Sequence, residues 1–151
     1  MRIEINKQAI ITLAESNIRT ALIITGQTLV TKIRNSMVMG TGIIYTRKGE
    51  THYASAPGRP PAPWTERLRD SITYQTNWGD RCATGPSASA SDAVGKPQQA
   101  MGGYVVSVGT NVDYALDLES GTKNISPRPY LWPALKDSTE DIKKAFDRVK
   151  V

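Results

Sequence analysis

KQAIITLAESNIRTALIITGQTLVTKIRNSM, Lys7 to Met37, is the stretch on which the fold turns. Ile11, Ala14, Ile18, Leu22, Leu29, Ile33 and Met37 recur at helical spacing, and Ile10, Ala21 and Val30 widen the stripe. Lys7, Glu15, Arg19, Gln27 and Arg34 take the opposite face. A glycine inside a helix costs about 1 kcal/mol relative to alanine, so a bend or a close approach is expected at Gly26. Gly40 and Gly42 end the element. One long amphipathic helix opens the chain.

Beyond it, Ile43-Ile44-Tyr45 and Thr51-His52-Tyr53-Ala54 flank the turn Arg47-Lys48-Gly49-Glu50, which predicts a hairpin. Pro57, Pro60, Pro61 and Pro63 then favour a stiff, extended arm. An SH3-type ligand is the sharper reading of those prolines, and a rigid connector the plainer and preferred one. Ile72, Tyr74, Thr76 and Trp78 alternate with polar residues, as in a half-buried strand. Tyr104, Val106 and Val108 alternate again, so the two strands are expected to pair around residues 79–102. That connection is polar, aperiodic and long, and is expected to be mobile until a partner orders it. Val112 to Glu119 reads as a short helical turn closed by Gly121. Pro133 suits the first residue of a last helix, whose stripe is Leu131, Leu135, Ile142, Ala145, Phe146 and Val149. Ser138 with Asp141 suggests a second start and a kink. The order predicts a single α+β domain over 1–151: a small antiparallel β-sheet packed by the long N-terminal helix and a C-terminal helix, with a long hairpin loop.

Composition narrows the function classes. The net charge is +5, and residues 47–69 hold Arg47, Lys48, Arg59, Arg67 and Arg69 against Glu50 and Glu66. Such a segment suits nucleic acid, an acidic protein surface, or simple solubility. Cys82 is the single cysteine and His52 the single histidine. A disulfide framework within the chain and a soft-ligand zinc site are thereby excluded, and a thiol–imidazole pair has no further support. Gly40-Thr41-Gly42 has neither the spacing nor the Lys-Ser/Thr of a phosphate loop. Asp113, Asp117 and Glu119 lack the pattern of a calcium loop. No signal peptide or apolar membrane span is expected. The chemistry points away from an enzyme and to no cofactor and no metal.

Two stretches carry a resemblance. SAPGRPPAPWTERLRDSI (Ser55 to Ile72) and VGTNVDYALDLESGTKNISPRPYLWPAL (Val108 to Leu135) resemble the tail-component family of lambda-like tailed phages, the gene-product-ten-like neck or tail-completion proteins. The match lies in Val108-Gly109-Thr110, Tyr114-Ala115, Glu119-Ser120-Gly121-Thr122 and Arg128-Pro129-Tyr130-Leu131-Trp132-Pro133-Ala134, in order. Glu66 departs from the family's usual glycine, which makes a left-handed turn there unexpected, and the 79–102 loop is enlarged.

The resemblance implies a structural bacteriophage protein, a subunit of the virion neck assembled in the host cytoplasm. Its implied partners are copies of itself in a head–tail connector ring (a hexamer favoured, a dodecamer the alternative), a head-closure or connector protein, and a tail terminator or tail tube protein. DNA would pass through the lumen. Trp64, Arg67, Leu68, Arg69, Tyr114, Glu119, Arg128, Tyr130 and Trp132 are the subunit-contact candidates on this view. The alternative is a sequence-independent nucleic-acid-binding module that uses the basic 47–69 segment, with Tyr45, Tyr53 and Trp64 as stacking surfaces.

Overall fold

A computed structural model describes residues 7–38, 42–62, 66–94 and 103–149. The first helix, α1, runs unbroken over Lys7–Ser36, about 45 Å. Its apolar stripe meets the rest of the protein only from Ala21 onward, where Ala21, Leu22, Leu29, Val30 and Ile33 are buried. Ile10, Ile11 and Leu13 on the first half remain more than half exposed. The stripe is one surface with two fates.

The α+β class holds, with antiparallel pairing divided between two small sheets. Strands β1 (Ile44–Arg47) and β2 (Glu50–Tyr53) form the expected first hairpin. Lys48 and Gly49 both take positive φ, 54° and 83°, as a two-residue hairpin turn with the right twist requires. Strands β3 (Thr73–Thr76) and β4 (Val106–Gly109) form the second pair, with Tyr74 opposite Val108. A Cβ on Gly26 would lie 2.5 Å from Tyr74 Cγ. Gly26 therefore marks a close approach of α1 to β3 rather than a bend.

The alternation in β3 predicted one wet face, yet all four residues are buried. The chain returning from the strand explains this. Arg81 bridges Gln75 along the free edge of β3, Thr73 donates to the Cys82 carbonyl, and Thr76 donates to the Asp80 carboxylate.

The expectation of a connection without anchors over 79–102 is likewise corrected for its described part, residues 79–94. Gly85 N–H reaches the Asp70 carbonyl and Ser87 N–H the Asp70 carboxylate. A 3-10 turn at Ala90–Asp92 is closed by a Ser89/Asp92 capping box, and Ala93 bridges Thr110. Apolar area is not what fixes this segment. Three carboxylates are. The remainder of that stretch, 95–102, lies outside the described residues.

Helix α2 (Arg67–Ser71) starts from Glu66, which is left-handed at φ 57° despite its side chain. The expectation, drawn from the side chain, that a left-handed turn is absent here is overturned. Helix α3 (Ala115–Ser120) ends at Gly121 as expected. The C-terminal segment divides into α4 (Leu131–Asp137) and α5 (Thr139–Arg148), broken at the fully buried Ser138. Its hydroxyl donates back to the Ala134 carbonyl and caps neither helix start. Pro133 is the third residue of α4, not the first.

Both helices pack on α1. The buried contacts there are Ala134 and Ala145, whereas Leu135 is 42% exposed and Ile142 and Phe146 are half-buried. The main core joins Val30, Ile33 and Met37 to Leu68, Ile72, Tyr74, Val112, Tyr130 and Ala134. No helix among the described residues is long and apolar enough to cross a membrane.

Candidate assembly surface

The two resembling stretches form a single brace. Glu119, at the end of α3, accepts the backbone N–H groups of Tyr130 and Leu131 through Oε2 (2.8 and 3.0 Å) and that of Trp132 through Oε1 (3.0 Å). A helix start leaves its first four N–H groups without intrahelical partners. In α4 one carboxylate takes three of them, and the fourth position is Pro133, which has no N–H. The charge also suits the positive end of the helix.

Arg128 N–H donates to the Leu118 carbonyl and its Nε to the Ser55 carbonyl. Gly58 N–H donates to the Pro127 carbonyl, and the Ser71 and Thr110 hydroxyls share a bond of 2.6 Å. Segments far apart in sequence are thereby locked together.

Arg67 closes the other side of the brace. It donates to both oxygens of the buried Asp92, at 2.8 and 3.1 Å. The Asp92 carbonyl meanwhile accepts from Asn111 N–H and the Thr110 hydroxyl. The Arg67 guanidinium, with help from Ser89 N–H, holds the Asp92 carboxyl well below the usual carboxylate range. Arg19 also lowers the Asp80 carboxyl, and Lys32 lowers that of Asp141. Burial first, and the Glu119 charge second, push the Tyr130 phenol upward.

These facts sort the contact candidates. Leu68 and Tyr130 are core residues, 7% and 1% exposed, and present nothing to a neighbour. Arg67 is committed to Asp92, while Arg69 pairs with Glu66 at 2.9 Å. Glu119 and Arg128 act inside the subunit, as described. Tyr114 sits at the margin of exposure, and Trp132 is 68% exposed. Trp64 lies outside the described residues. Asp113 stands near Arg67, and among the described residues no three metal-binding side chains gather.

Beyond Trp132 and Glu119, sequence reasoning missed an apolar surface around them. An open groove of about 380 Å³ runs between α1, β4 and α4. Leu29 and Ile33 of α1, Val106 and Val108 of β4, and Leu131, Trp132 and Leu135 of α4 line it, together with Glu119. The first half of α1 projects as an apolar arm. The β1–β2 hairpin exposes Ile43, Ile44, Tyr45 and Tyr53, and Trp78 stacks on Tyr104 at 5.4 Å. A monomer rarely leaves several such patches bare unless something covers them. Comparisons with family models, curated proteins and solved structures find no match.

Proposed function

We propose that this chain is a structural subunit of the head–tail neck of a tailed bacteriophage, a tail-completion or connector ring between the head-closure ring and the tail tube, encircling the DNA passage. The observation that carries the reading is the brace. The stretches at 55–72 and 108–135, in which the resemblance lies, fold onto each other, and their polar residues hold backbone rather than form a reactive cleft. A stiff scaffold with bare apolar faces suits repeated contact between identical subunits, where one heterologous interface recurs until a ring closes.

The nucleic-acid alternative loses two of its cations, since Arg67 and Arg69 already face carboxylates. Loss of the gene should leave filled heads and tails unjoined, and image averages of intact particles should place the chain as a ring on the portal axis. Normal, infectious particles without it would overturn the proposal. A salt series gives the second check: the neck reading expects no DNA affinity that collapses between about 50 and 200 mM salt.

A further inference from the structure

We infer that the first half of α1 in one copy docks into the α1–β4–α4 groove of the next copy, so that each subunit gives an arm and receives one. The inference rests on the ring reading above and names the contact that builds the ring.

Three observations converge. Ile11 is 51% exposed, yet Ile11, Ala14 and Ile18 continue the same helical face that is buried from Ala21 onward. That face is shaped to be covered. The groove is the concave counterpart, and its exposed lining residues, Trp132 and Leu135, are as bare as the arm. Finally, the arm cannot reach its own groove. Ile11 and Leu29 lie on one uninterrupted helix, and eighteen residues at 1.5 Å each hold them about 27 Å apart. A convex and a concave apolar surface that cannot meet within one chain can meet between two copies.

Charge fits the same occupant. Glu119 lines the groove with no cationic partner among the described residues, its hydrogen bonds all made to backbone N–H groups. In the unbroken helix Lys7, one turn before Ile11, and Glu15, one turn after it, share the Ile11 face rather than lie opposite it, and the exposed Lys7 makes no ion pair among the described residues. Arg19, at the base of the arm, is held by Asp80 and fixes the arm's direction from the body.

Size also matters. A helix segment of about 20 Å by 10 Å covers far less than the roughly 800 Å² per partner of a standard interface. One such contact makes a weak pair. A closed ring, in which every copy uses both surfaces, removes the free ends.

Cysteine pairing tests this in a Cys82→Ser background. Ile11→Cys chains mixed with Leu135→Cys chains at high protein concentration should give mainly the mixed disulfide dimer. The double variant should give a ladder ending at the ring's copy number. Dominant Ile11→Cys self-dimers, or no mixed product, would overturn the contact. Independently of that background, Ile11→Glu should raise the assembly midpoint in sedimentation by roughly tenfold or more while leaving the melting temperature of dilute protein unchanged. Rings that persist with an unmoved midpoint sink the arm–groove contact but leave the neck reading standing. Mixed disulfides from a chain that particles lack would do the reverse.

Discussion

The two hairpins start from similar sequence patterns and end in opposite situations. In β3–β4 every β3 residue is buried, under α1 and beside the returning chain at Arg81. In β1–β2 the residues are mostly exposed, and the hairpin holds through its own cross-strand pairs, including the Tyr45–His52 ring stack at 5.2 Å. The difference does not lie in strand propensity. It lies in whether a second element can come close, and Gly26 is what lets α1 come close to β3. A sheet is thus made central by what packs on it, and the same local pattern left alone is a surface feature.

The sharpest way to break this comparison is to empty its centre. Tyr74→Ala should destabilise the fold by about 3–5 kcal/mol, read as a lower urea midpoint. A midpoint close to wild type would mean that α1 and β3 do not share one core.

Gly26→Ala should come next, with a loss of about 1–3 kcal/mol from overpacking. This is opposite in sign to the gain that helix propensity alone would give. A more stable variant would show that Tyr74 moves aside at no cost.

Acid separates the hairpins by charge. Asp80 and Asp92, which tie the returning chain to β3–β4, have folded pKa values depressed by Arg19 and Arg67. Their contribution is fully present above the unfolded value near about 3.9 and is lost as pH falls through the lower folded values. Melting temperature should therefore drop on acidification below about pH 4, and Asp92→Asn should flatten that slope. Amide exchange should quicken around Thr76 and Asn111 before it quickens in β1–β2. Equal quickening in both hairpins would remove the distinction.

The smallest effect sharpens the comparison from the other side. Ile44→Ala, on an exposed strand, should change stability by no more than about 0.5 kcal/mol. A loss of several times that would place a hidden core under β1–β2.

Much of this was legible in the residues. The long helix, both strand pairs and the turn closed by Gly121 follow from periodicity and turn chemistry, whereas the break expected at Ser138 is present without the side-chain cap that suggested it. The anchoring of 79–94 was not, because Asp70, Asp80 and Asp92 act through partners distant in sequence, and composition reads only as polar. Ser89-x-x-Asp92 was the one local sign, a capping pattern inside an otherwise featureless run. Two of the contact candidates, Leu68 and Tyr130, are buried inside the subunit. The fold needs both inside, and a sequence pattern cannot separate that need from a partner's. The arm and groove were illegible for a different reason. A stripe on α1 reads the same whether its cover is the same chain or another.

Lys32 carries a last consequence, one of timing. Midway along the first helix, it donates to the Asp137 carbonyl, 105 residues later, and pairs with Asp141 at 2.7 Å. During synthesis the chain emerges from its N-terminus at about 5–20 residues per second. The apolar side of α1 is therefore made early, while Ala134 and Ala145, which cover part of it, arrive last. For several seconds the nascent helix must travel half-dressed, and whatever shelters it then has to yield its place to the chain's own final turns.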